Sequence, residues 1–154
     1  MEKQTIKTEK VLAAYRVIST AKYSKMDDGD KIKVWKIARI LKPVADKFDD
    51  DSKDAAEKFK PSEDFDERLQ KAQDYERTIR NTEKDSEERA AEYGKFVGEF
   101  NAYKKLMDDA IKEFADKDVE VEFEKLSEEA FGKLMASNEW TMEQAMVLGD
   151  IITD

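Results

Sequence analysis

The stretch YGKFVGEFNAYKKLMDDAIKEF, residues 93–114, decides the fold class. Within it Tyr93, Phe96, Phe100, Tyr103, Met107, Ala110 and Phe114 recur three and four residues apart. That spacing sets them on one narrow stripe of an α-helix, and a stripe of large apolar side chains must find a partner surface. Each such residue gains roughly 1.5–3 kcal/mol on full burial, so the stripe is either core or an interface between subunits. Gly94 and Gly98 lie within it and weaken the helix locally.

Upstream, Pro61 stops any preceding helix, and Ser62 with Glu63 and Asp64 restarts one. Phe65, Leu69, Ala72, Tyr75 and Ile79 then form a thinner apolar stripe. From Arg80 to Arg89 almost nothing is apolar, so the chain either turns near Asn81–Thr82 or continues as a solvated rod. Further back, Val11, Leu12, Tyr15 and Ile18 predict a helix over about Thr8–Tyr23, with Thr8 as its cap. The turn Asp27-Asp28-Gly29-Asp30 follows. Gly29 is suited to positive φ, and Asp30 to capping the next helix. That helix carries Val34, Ile37, Leu41, Val44 and Phe48, with Pro43 predicting a kink or a break. A short turn between two amphipathic helices makes an αα-hairpin. Asp49 to Lys60 is highly charged and reads as a solvated acidic linker.

Downstream, Val119-Glu120-Val121-Glu122-Phe123 alternates as a half-buried strand with an acidic outer face. No other segment offers it a partner of similar quality. It pairs across a symmetric interface or serves as an extended connector. Ser127, Glu128 and Glu129 open a short helix with Phe131, Leu134 and Met135. Thr141 and Gln144 have capping-box spacing ahead of Ala145, Leu148, Ile151 and Ile152. The expected fold is mainly α, a single domain over residues 1–154. It comprises an N-terminal αα-hairpin (7–60), a long charged central helix or helical hairpin (62–116), and a short C-terminal helical cap with at most one short strand (119–154).

Composition narrows the chemistry. The 154 residues include no histidine and no cysteine, and 42% are charged. Thiolate zinc sites, Ser-His and Cys-His pairs, and the Glu-x-x-His ligation of di-iron bundles are therefore excluded. No Gly-rich phosphate loop occurs. Carboxylate-only magnesium chemistry would need more than Glu63-x-x-Asp66 and Glu113-x-x-Asp116, which chance supplies in so acidic a chain. A calcium loop from Asp49 and Asp51 fails, because Asp54 and Lys60 stand where glycine and glutamate are required. The expectation is no enzyme, no cofactor and no metal. The opening Met1-Glu2-Lys3-Gln4 lacks an apolar leader and no run approaches 18 apolar residues, so a cytoplasmic protein without membrane contact is expected.

The net charge of −9 conceals an asymmetry. Residues 1–45 carry 11 Lys/Arg and 5 Asp/Glu, a balance of +6; residues 46–154 carry 17 and 32, a balance of −15. Such a split suggests attraction within the chain, or head to tail between chains. Its basic part concentrates on Lys22, Lys25, Lys31, Lys33, Lys36, Arg39 and Lys42, with Tyr23 and Trp35 nearby. A nucleic-acid surface would use such cations and rings. A solvated lysine face answering the acidic part of the same chain is the simpler reading.

The layout of Val34 to Phe48, Glu99-Phe100 through Phe114, Val119 to Leu126 and Thr141 to Ile152 resembles that of small uncharacterised helical proteins encoded by bacteriophages and prophages. The resemblance carries no diagnostic motif and implies no activity. It implies a setting, phage or mobile-element work inside a bacterial host. The expected function is thus a non-enzymatic interaction or assembly protein, a homo-oligomer or a binder of a phage or host protein. Association would run through Tyr93, Phe96, Phe100, Tyr103, Met107 and Phe114. The alternative is a nucleic-acid-associated protein using the basic hairpin face.

Overall fold

The computed structural model describes residues 3–79 and 87–154. The fold is mainly helical, as the spacing predicts, with a small antiparallel sheet. In order, the elements are β1 (Lys3–Lys7), α1 (Thr8–Ile18), α2 (Asp28–Lys58), α3 (Phe65–Asp74) with a π-helical turn (Tyr75–Ile79), α4 (Glu87–Asp116), β2 (Asp118–Glu122), α5 (Glu128–Ala136) and α6 (Met142–Ile152). No helix among the described residues is long and apolar enough to cross a membrane. Contacts divide the chain into two compact units, Met1–Asp51 with Glu113–Asp154, and Ser52–Lys112. These cut across the three sequence segments, because α2 and α4 contribute to both.

The first unit holds the main core. Val11, Ala14, Val17 and Ile18 of α1 meet Val34, Ile37 and Leu41 of α2, with Leu148, Ile151 and Ile152 of α6. Val121, Phe123, Leu126, Ala130, Phe131 and Leu134 complete it. Most of the buried positions are those the three-and-four spacing selects, so the core largely follows from patterning; exceptions include Leu12 and Tyr15, which are half-buried while Ala14 and Val17 take the core of α1, and Met135, which is exposed. Capping is also as read at the C-terminal helices. Ser127 Oγ accepts from the Ala130 amide, and Thr141 and Gln144 close a reciprocal capping box on α6.

The C-terminal segment carries the one strand expected of it, β2, and a second strand, β1, forms at the N-terminal end where the spacing predicts none. β2 pairs within the chain, antiparallel to β1, in the register Lys3↔Glu122, Gln4↔Val121, Thr5↔Glu120, Ile6↔Val119 and Lys7↔Asp118. Ile6 and Val119 face inward together, and Lys3 and Lys7 lie opposite acids on the outer face. Neither a symmetric interface nor a bare connector is needed.

Other boundaries move for local reasons. α1 ends at Ile18, short of Tyr23, because the following chain is bonded to the end of α5. The Lys22 amide donates to Asn138 Oδ1 (2.8 Å), and the Lys25 amide to Ser137 Oγ (3.1 Å). Thr8 does not cap α1; its hydroxyl donates to the Lys117 carbonyl at 2.8 Å. α2 begins at Asp28, so Gly29 and Asp30 lie in its first turn, and no described residue has positive φ. Pro43 does not break α2. It lies on the exposed side, where water can reach the Arg39 carbonyl that it leaves without a donor. The charged stretch from Asp49 is helical to Lys58 rather than a linker, with Ala55 buried and Lys47 paired to Asp51 at 2.7 Å.

The second unit is a helical hairpin. The Phe65 ring lies near Phe96, Phe100 and Tyr103, while Tyr75 stacks on Tyr93. Rising numbers on one strand of contacts meet falling numbers on the other, so α3 and α4 are antiparallel and a single rod over 62–116 is ruled out. The turn expected near Asn81–Thr82 lies outside the described residues.

Candidate interaction surfaces

The aromatic stripe of α4 is largely engaged inside the second unit. Phe96 is buried, and Phe65 brings Phe96, Phe100 and Tyr103 together at centroid distances of 5.6, 6.4 and 4.9 Å. The Tyr103 hydroxyl donates to the Ala56 carbonyl at 3.2 Å, tying the stripe to the end of α2. Tyr93 stacks on Tyr75 at 4.6 Å and donates its hydroxyl to Glu76. Met107 and Phe114 are half-buried further along α4, with Leu106 exposed beside Met107.

Arg68 reinforces this hairpin. Its guanidinium sits 5.5 Å from the Phe96 ring centre, and Nη1 is 2.6 Å from Glu99 Oε2. Glu99 Oε2 has no partner in hydrogen-bond geometry, so that contact is charge pairing without a directed bond. A cavity of about 630 Å³ between α3 and α4 is lined by Arg68, Lys71, Tyr75, Arg89, Tyr93 and Phe96, among others. Asp64, Asp74 and Glu92 share its wall, so it favours neither sign of ligand charge. No group of three or more acidic side chains among the described residues is arranged to hold a metal ion. Asp66 is paired to Lys60 at 3.0 Å, while Glu113 and Asp116 are exposed.

The basic face of the hairpin is partly answered by nearby acids. Lys31 pairs with Asp28 (3.9 Å), Lys33 with Glu124 (3.2 Å), and Lys42 with Asp46 (2.8 Å). The Asp46 hydrogen bond raises the Lys42 pKa above the ordinary lysine value. Lys22, Lys25 and Lys36 are exposed and make no ion pair among the described residues.

The outer face of α2 lies opposite its buried residues. Ile32, Trp35, Lys36, Arg39 and Pro43 share it by helical spacing. Ile32 is 53% exposed and Trp35 56%, and the Arg39 guanidinium lies 4.7 Å from the Trp35 ring centre. A second exposed face escaped the sequence reading. On α6, Met142 is 76% exposed and Met146 58%, with Glu143 and Asp150 on the same side. The signal was present as two methionines four apart, on the side away from Leu148 and Ile152.

Compared with protein-family models, curated proteins and solved structures, the chain matches none. The surfaces themselves therefore carry the functional argument.

Proposed function

We propose that this chain is a non-enzymatic helical interaction protein whose contact surface is the outer face of α2. One observation carries the reading: Trp35 stands more than half exposed beside exposed Ile32, with Arg39 over its ring. Tryptophan and arginine dominate the energetics of protein contacts, and neighbouring exposed apolar side chains mark contact sites. The engagement of Tyr93, Phe96, Phe100 and Tyr103 within the second unit favours α2 over the α4 stripe as that surface. A phage or prophage setting remains part of the proposal on the sequence layout alone.

The test is a photo-crosslinking amino acid at position 32, in cells expressing the full chain, with the same group at Glu120 as a control. Adducts specific to position 32 support the reading. Equal adducts at both positions, or none, overturn it.

A second reading has its own support. Tyr23 and Trp35 are exposed rings among the exposed cations Lys22, Lys25 and Lys36, an arrangement suited to single-stranded nucleic acid. It predicts binding to labelled DNA or RNA that collapses between low and moderate salt. Absence of binding at low salt removes it.

A further inference from the structure

The two exposed faces of the first unit are complementary. The outer face of α2 presents Ile32 and Trp35 with Lys36 and Arg39; that of α6 presents Met142 and Met146 with Glu143 and Asp150. Between Ile32 and Pro43 the α2 face carries cations alone, with Asp28 and Asp46 at its two ends paired to Lys31 and Lys42, whereas the charges on the α6 face are all acidic. Lys36, Arg39, Glu143 and Asp150 make no ion pair among the described residues. The Trp35 ring already accepts a cation on one face, and a thioether can meet its edge or other face. Methionine is unbranched and adapts to such a surface.

We propose that the α6 face of one copy docks on the α2 face of a second copy, head to tail. The proposal rests on the reading of α2 as the contact surface and names its occupant. Because the two faces differ, the contact is heterologous. Each joined pair leaves one free α2 face and one free α6 face, so association continues to a ring or an open chain. Charge complementarity sets the orientation: two α2 faces together would oppose Lys36 and Arg39 to their own copies, and two α6 faces would oppose Glu143 and Asp150. This gives the charge asymmetry of the chain a physical role.

The experiment is light scattering on the purified full chain and on two variants, Trp35→Asp and Met142→Asp/Met146→Asp. All three substituted residues are exposed, so folding, checked by circular dichroism, should survive. The native chain should exceed twice its monomer mass at low salt and fall toward monomer as salt rises. Each variant alone should be monomeric. Mixed in equal amounts, they should form a species of twice the monomer mass and no larger, since only one intact pair of faces remains. A native monomer at every concentration and salt overturns the proposal. So does a Met142→Asp/Met146→Asp variant that still dimerises, which would mean α2 pairs with α2. The crosslink at position 32 separates the two levels. Adducts specific to position 32 with another protein, together with a monomeric native chain, would overturn the head-to-tail contact alone. Absence of specific adducts overturns both.

Discussion

The ring of Phe65 lies 4.9 Å from that of Tyr103, and this one side chain also reaches Phe96 and Phe100. Phe65 is 3% exposed, so it fills the centre of the second unit's small core. Phe65→Ala removes the partner that three aromatic rings share, at about 3–5 kcal/mol. The loss should fall on the α3–α4 hairpin. Hydrogen exchange should speed up along residues 93–103 while the β1–β2 pairing keeps its protection. Uniform acceleration across both units would show that they unfold together.

Gly149 offers a sharper test of packing in the first unit. A Cβ there would stand 3.2 Å from Cε1 and Cζ of Phe131, a buried ring near Trp140. Gly132 has nothing within 4 Å of the same added atom. Gly132→Ala should therefore stabilise by roughly 0.5–1 kcal/mol through helix propensity. Gly149→Ala should lose that gain to displacement of the ring, and Gly149→Leu should cost about 1–3 kcal/mol by overpacking. Urea denaturation midpoints give the order. A Gly149→Leu chain as stable as the native one would contradict the close approach.

Much of the fold was legible because periodicity reports burial directly. Val34, Ile37 and Leu41, or Leu148, Ile151 and Ile152, are core for the reason their spacing gave. What escaped depended on partners far along the chain. Lys3 and Lys7 alternate with Gln4 and Ile6, and only set against Glu122 and Asp118 does that short segment read as a strand. Thr8 resembles a cap locally, yet its hydroxyl serves Lys117. The charged run after Asp49 lacked apolar periodicity, but i,i+4 pairing and buried Ala55 keep it helical. For the candidate surface, Trp35 reads from the sequence as a ring beside the basic face, whereas nothing in the spacing sets Met142 and Met146 apart. Exposure is a property of the packed unit, and spacing alone does not separate an exposed methionine from a core one.

Asn138 fixes the connection between α1 and α2. Its Oδ1 accepts from the Lys22 amide at 2.8 Å, and its Nδ2 donates to the carbonyls of Lys22 (2.7 Å) and Leu134 (2.8 Å). Asn138→Ala removes three bonds at a partly solvated site, where water compensates much of the loss, so about 1–2 kcal/mol is expected. Asn138→Asp keeps the acceptor but loses both donors, and should not rescue. The Lys22 amide should exchange faster in both variants. Unchanged exchange would mean that the Lys25–Ser137 bond holds the connection by itself.

Asp64 supplies a titration test at the start of α3. The Ser62 hydroxyl donates to Asp64 Oδ1 at 2.6 Å, and this bond holds the carboxyl below its ordinary value; nearby Arg68 and Lys71 act in the same direction. A carboxyl depressed in the folded state contributes stability above its unfolded pKa and loses it as pH falls through the folded one. Asp64 is open to solvent, so that contribution, present at neutral pH and lost in acid, is small, and its titration curve is the sensitive readout. Ser62→Ala deletes the donor while the two cations stay. The carboxyl midpoint, followed by carbon NMR, should move up toward the ordinary value without reaching it. A midpoint that does not move would assign the depression to the backbone amide of Asp64 and the two cations, and Arg68→Gln should then shift it where Ser62→Ala did not.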